Sequence, residues 1–185
     1  MYSWEPLLAF FNNIFLLTIL AASLFSKLRG VGAFVQTVES FAIVPKRFTN
    51  ASSYATIGIE LVAVICLAGA LIVSSAALRL AGLWSGLAIL IVYTGVLTVL
   101  RIRRRRVSCH CFGANQESIS GYDIIRNFLI MAGTVAGLLA GQSAGLPLEG
   151  TLPIGVAAVA TALITINIGD VVEITRKPMT IEWEA

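Results

Sequence analysis

Charged residues are scarce in this sequence. Of its 185 residues, 12% are Asp, Glu, Lys or Arg and 57% are hydrophobic, and the mean hydropathy is +0.88. An ordinary soluble domain has about 45–50% apolar and about 25% charged residues, and a folded domain of this length still exposes roughly 30% of its chain surface. The shortage of charge therefore excludes a water-soluble enzyme and a disordered chain, and it indicates a membrane protein.

Cysteine and histidine are also few. Three Cys do not make a disulfide framework, which excludes a disulfide-rich secreted scaffold. The single His has no second cluster of ligands to complete a zinc site, so we expect no metal ligands. Cys66 lies in an apolar stretch, where a thiol behaves as a small hydrophobe. The other two Cys lie together, at positions 109 and 111.

Long stretches with little or no charge predict transmembrane helices. About 20 apolar residues, at 1.5 Å per residue, cross a hydrocarbon core of ~30 Å. Because a helix satisfies its own backbone and the apolar residues do not alternate, the predicted fold is all-α, a polytopic membrane helix bundle. It has a four-helix core plus a fifth transmembrane helix. The five predicted spans are 6–27, 52–76, 79–100, 120–141 and 150–169.

The spans divide the chain into a four-helix transmembrane unit (1–141), an additional transmembrane helix (142–169) and a polar C-terminal tail (170–185). Segment 33–44 places Phe34, Val38 and Phe41 at helical spacing. It is either a short interfacial helix on the membrane, ended by Pro45, or an apolar loop packed on the bundle. Ser120 and Asp123 fit a capping box at the start of the fourth span.

Lys and Arg predict the orientation, since they concentrate on the cytoplasmic side. With five spans, Arg79 alone lies on one face and the other twelve of the 13 basic residues lie on the opposite face. We therefore expect a multi-pass cell-membrane protein with its N-terminus outside. Its C-terminus and the loop 101–119 are expected in the cytoplasm. With four spans, the C-terminal tail would lie outside the cell. This alternative requires that the uncharged stretch 150–169 does not cross the membrane.

The arginine run 103–106 directly follows a span. Basic clusters in this position set topology and contact anionic lipid. No aromatic platform accompanies the run, so we expect the lipid bilayer as its partner and not a nucleic acid.

The segment with chemical character is Cys109-His110-Cys111-Phe112-Gly113. A Cys-x-Cys pair can close a small, strained disulfide that passes oxidation on, and flanking arginines stabilise the attacking thiolate. Phe112 and Gly113 form the turn that presents the pair. Two other interpretations stay open, namely a two-thiolate Cu(I) site and a structural turn with unreactive thiols.

Glu60 is an intramembrane charge, and such charges usually face a partner or a cavity. It lies about 12 Å from the predicted cytoplasmic face, and Arg126 lies about 9 Å from the same face, at 1.5 Å per residue. The two could form an ion pair that fixes helix packing, with Asn127 nearby. Alternatively, they could form a site for a proton or a quinone head group beside the thiols.

Three stretches resemble the MauE/DoxX family of redox-associated membrane proteins. The end of the first span and the segment after it, SLFSKLRGVGAFVQTVESFAIVP, are similar to the family's turn, amphipathic segment and proline. The second span carries Glu60 in IGIELVAVICLAGALI. The third and most specific stretch is CHCFG followed by ISGYDIIRN, which resembles the family's Cys-x-Cys-Phe-Gly loop and its Arg-Asn helix start.

The resemblance implies a compact bundle that assists disulfide maturation of a partner in methylamine utilisation, together with a thioredoxin-like protein. Cys109 and Cys111 would be the redox pair. The supporting positions would be Lys27, Glu60, His110, Phe112, Gly113, Arg126 and Asn127. No cofactor is certain, and a quinone is a candidate.

Our first hypothesis is thus a thiol-disulfide membrane component. The alternatives are a non-enzymatic scaffold or assembly factor, and a small solute or metal-ion carrier that uses Glu60 and Arg126. A maturation substrate outside the membrane would conflict with thiols predicted inside.

Overall fold

The computed structural model describes residues 4–103, 121–140 and 148–168. These residues form helices and no strand, which confirms the all-α class. The helices are α1 (Trp4–Arg29), α2 (Val31–Phe41), α3 (Lys46–Val73), α4 (Ala76–Ile102), α5 (Gly121–Leu139) and α6 (Leu148–Ile166).

Within the described residues, three helices are long and apolar enough to cross a membrane. They are α1, α3 and α4, with 26, 28 and 27 residues, and they correspond to the first three predicted spans. The fourth and fifth predicted spans correspond to α5 and α6, which have 19 residues each. Whether these two also cross, and the division at residues 141 and 169, stay predictions.

Helix α1 lies at the centre of the bundle and contacts every other described helix. Its buried residues Leu16, Ile19 and Leu20 pack with Leu67 of α3 and Leu83 of α4. Asn13 Nδ2 donates to the carbonyl of Leu67 at 3.2 Å. Further along the chain, Lys27 of α1 pairs with a residue earlier in α3, Glu60. The two helices therefore run antiparallel.

Glycines allow α4 to approach α3 and α1 closely. A Cβ at Gly82 would lie 2.6 Å from Cγ of Leu67, and one at Gly86 would lie 2.9 Å from Cδ2 of Leu16. Small residues four apart are a common way to bring two membrane helices into backbone contact. The close packing of α4 at positions 82 and 86 therefore requires glycine, because any larger residue would clash with Leu67 or Leu16.

The amphipathic segment forms helix α2, whose apolar face packs against α1 and α3. Phe34, Thr37 and Phe41 are buried. The helix ends at Phe41 because Ala42 adopts a left-handed conformation with φ 51°. Pro45 was expected to end this segment. Instead it precedes α3 at the N-cap position, where its fixed φ suits a helix start.

Exposed basic residues gather at one end of the bundle, which we call the basic end. Here α1 and α4 end and α3 begins. α5 also begins here, since Arg79 and Thr94 of α4 contact Gly137 and Met131 of α5 in reverse order. The exposed basic residues are Arg29, Lys46, Arg47, Arg101 and Arg103.

Two basic residues expected on this face lie inside the bundle. Lys27 is 2% exposed, and the side chain of Arg126 is 11% exposed. Both side chains have partners on neighbouring helices, which is why they turn inward.

Candidate functional site

The main buried polar site is an ion pair between α1 and α3. Lys27 Nζ lies 2.8 Å from Oε2 and 3.1 Å from Oε1 of Glu60. Glu60 is 0% exposed. The sequence places it on the inward face of α3, three to seven residues from Ile57, Ala63 and Leu67, which are also buried.

The ammonium of Lys27 uses all its donors. Besides the two carboxylate oxygens, it donates to Oγ of Ser23, one turn earlier on α1. An ammonium group has three N–H donors, so none remains for another acceptor. The site therefore offers no spare Lys27 donor to a quinone head group.

Aromatic rings enclose the same ammonium from two further helices. Lys27 Nζ lies 5.6 Å from the ring centroid of Phe34 on α2 and 5.0 Å from that of Tyr93 on α4. Rings at this distance attract a cation, and more strongly where water is excluded. Four helices, α1 to α4, therefore meet around one charge-neutral pair.

The pairing of Glu60 differs from the sequence prediction, which joined it to Arg126. Helix α5 packs on α4 and α1, which places Arg126 near the end of α6. Arg126 Nη1 donates to the carbonyl of Ile166 at 3.3 Å, and Nη2 lies 3.4 Å from Oδ1 of Asp123. The last carbonyls of a helix have no partner within it, so Arg126 caps the C-terminus of α6.

Arg79 plays the same part at the opposite end, where its Nη1 donates to the carbonyl of Gly137 near the end of α5 at 3.1 Å. Asn127 is buried. Its Oδ1 accepts no hydrogen bond from the described residues.

Sequence reasoning missed Ser23 and Tyr93 as parts of the site. Ser23 had a usable signal, since it precedes Lys27 by four residues and thus lies on the same helix face. Tyr93 had none, because its place beside Lys27 depends on how α4 packs. Lys27 was expected as a supporting position through the family resemblance, but its pairing with Glu60 was not predicted.

The predicted redox segment lies outside the described residues. This applies to Cys109, His110, Cys111, Phe112 and Gly113, and also to Ser120 of the predicted capping box. The segment connects Arg103, at the C-terminus of α4, to the start of α5. Cys66, on α3, is a half-buried free thiol.

Metal ligands were not expected, and the described ranges contain no group of three or more His, Cys, Asp or Glu that could hold a metal ion. The Cu(I) alternative concerned Cys109 and Cys111, which lie outside those ranges.

The long apolar helices, with a buried neutral ion pair at their junction, define a helical membrane protein. The chain belongs to the family described as methylamine utilisation protein MauE, whose model matches residues 5–140. The match confirms the resemblance to MauE and includes the Cys-x-Cys segment, whereas α6 follows it. No curated protein and no solved structure matches the chain.

Proposed function

We propose that this MauE-family membrane protein is a thiol-disulfide redox component, with Cys109 and Cys111 as the exchanging pair. The observation that carries the proposal is the Cys-x-Cys-Phe-Gly segment within the family match at residues 5–140. Its role would be to assist disulfide maturation of a partner protein, in methylamine utilisation by analogy with the family.

The described residues support the proposal because they fix the two helices, α4 and α5, that the segment joins. The segment connects α4 to α5 at the basic end. Helix α4 contacts the buried ion pair through Tyr93, and α5 is held to α6 through Arg126. Both helices that the segment joins are therefore held by the rest of the bundle.

The exchange needs a second dithiol or disulfide, and a thioredoxin-like protein is the partner class. In one direction, a thiolate of the pair attacks the partner disulfide, a mixed disulfide forms and one partner thiolate leaves. The second Cys displaces the other partner sulfur, so a disulfide closes between Cys109 and Cys111. The partner gains two electrons and, after protonation, two protons. The reverse sequence oxidises a partner dithiol and would serve maturation.

The basic residues next to the pair favour this chemistry. The sequence places Arg103 to Arg106 shortly before Cys109, separated from it by Val107 and Ser108. Positive charge near a thiol favours the thiolate, which is the attacking species.

The test is exchange between the purified full chain and a thioredoxin-like protein, followed by the mass shift on alkylation. We expect Cys109→Ser or Cys111→Ser to stop turnover, with the remaining thiol trapped as a mixed disulfide. Cys66→Ala is the matched control and should exchange normally, since Cys66 lies on α3 away from the segment. A double Ser variant that exchanges as fast as the unmodified chain would overturn the proposal.

The same assay separates this proposal from the scaffold alternative. A structural loop predicts that both thiols resist alkylation under native conditions and react only after unfolding. The carrier alternative was built on Glu60 together with Arg126, and these residues have different partners.

A further inference from the structure

We propose that the basic end carries a binding site for the headgroups of anionic phospholipids, built on two arginine–phenylalanine pairs that flank α2. This inference is independent of the proposed thiol chemistry, because it uses only described residues and neither Cys109 nor Cys111.

The two pairs have similar geometry. The guanidinium of Arg29, in the last turn of α1, lies 4.4 Å from the ring centroid of Phe25. The guanidinium of Arg47, in the first turn of α3, lies 4.7 Å from the ring of Phe48. The two rings are 56% and 49% exposed. Each arginine therefore rests on an outward-facing ring and not in the core.

Stacking orders the guanidinium groups without using their donors. A guanidinium that stacks on a ring face keeps its N–H groups in its own plane, where they point past the ring and can form two parallel bonds to a phosphate. Within the described residues, neither Arg29 nor Arg47 forms an ion pair. Both cations are thus available to an external anion.

The surroundings of the pairs favour a lipid over a soluble anion. Leu28 is 54% exposed beside Arg29, and Ile43 is exposed shortly before Arg47. Exposed apolar groups next to aromatic rings and basic residues are typical of the membrane–water boundary. There, apolar groups contact acyl chains while the arginines reach the phosphate layer.

The net charge of this surface is positive. Lys46 is paired with Glu39 at 3.3 Å, and both side chains are exposed. The described end also carries exposed Arg101 and Arg103. A basic residue near an anionic leaflet contributes roughly 1 kcal/mol to its attraction. We therefore expect a preference for phosphatidylglycerol over phosphatidylcholine.

The experiment titrates the detergent-purified full chain with short-chain phosphatidylglycerol or phosphatidylcholine, and measures the dissociation constants by thermophoresis. We expect tighter binding of the anionic lipid. Arg29→Gln and Arg47→Gln should each weaken it roughly fivefold, the equivalent of ~1 kcal/mol per arginine. Together they should remove most of the preference, and 1 M salt should do the same.

Several controls keep the result interpretable. Arg29→Lys with Arg47→Lys keeps the charge but loses the stacked fork, so it should retain only part of the preference. All variants should keep the thermal stability of the unmodified chain without lipid, because the altered side chains are exposed. The proposal is overturned if the double Gln variant keeps the full preference for phosphatidylglycerol. It is also overturned if inorganic phosphate or an oligonucleotide displaces the lipid at equal charge concentration.

Discussion

The buried ion pair should behave very differently from an exposed pair when one partner is removed. Glu60→Leu leaves the Lys27 ammonium buried without the carboxylate that balances its charge. Lys27→Met leaves the carboxylate buried without its cation. Removing one partner of a buried pair costs about 3–5 kcal/mol, because an uncompensated charge remains. We expect each single variant to lose free energy of unfolding in this range.

Removing both charges together should cost much less than the two losses added. In Lys27→Met with Glu60→Leu, no charge stays buried, and replacement of a buried pair by apolar groups is often close to neutral. A coupling energy of several kcal/mol should therefore separate the double variant from the sum of the singles. The measurement is the free energy of unfolding from an SDS titration in mixed micelles, followed by circular dichroism.

The chain contains a matched control in the pair Lys46–Glu39, at 3.3 Å, with side chains 89% and 45% exposed. The same substitutions there should change stability by less than about 1 kcal/mol. If the buried singles also cost less than about 1 kcal/mol, or if their effects are simply additive, the reasoning about a desolvated pair is wrong.

Three further predictions concern other parts of the molecule. Gly82→Ala should destabilise the bundle by about 1–3 kcal/mol through overpacking, whereas Gly95→Ala, which meets no atom within 4 Å, should be neutral or slightly stabilising in an unfolding titration. Arg126→Met should lose about 1.5–3 kcal/mol of charged hydrogen bonding, seen as faster amide exchange in the last turn of α6, and unchanged exchange there would contradict the cap. Alkylation of Cys109 and Cys111 with a membrane-impermeant maleimide should occur from the cytoplasmic side, as the basic residues predict, and labelling from outside alone would reverse the orientation.

The sequence was sufficient to place the three long apolar helices α1, α3 and α4, because the length of an uncharged apolar stretch follows from bilayer thickness. It misplaced the start of α3, which begins at Lys46 and not near residue 52. The first turn of α3 carries Lys46 and Arg47, and a search for uncharged stretches leaves such charged residues out of the helix.

The partner of Glu60 could not be predicted in the same way. Depth along the span pointed to Arg126, which lies near the same membrane face, whereas the arrangement of the helices brings Lys27 to Glu60 instead. Lys27 is reached because α1 packs on α3, while Arg126 faces α6. Residue depth is a property of one helix, whereas pairing is a property of the packing between helices.

The central position of α1 also constrains how the chain is made. Two of its polar side chains have partners in a helix that is synthesised later: Glu60 follows Lys27 by 33 residues, and Leu67 follows Asn13 by 54 residues. At about 5–20 residues per second, α1 remains without these partners for several seconds after it leaves the ribosome. Helix α1 is therefore completed only after α3 has been synthesised, and assembly of the bundle depends on α3 reaching it.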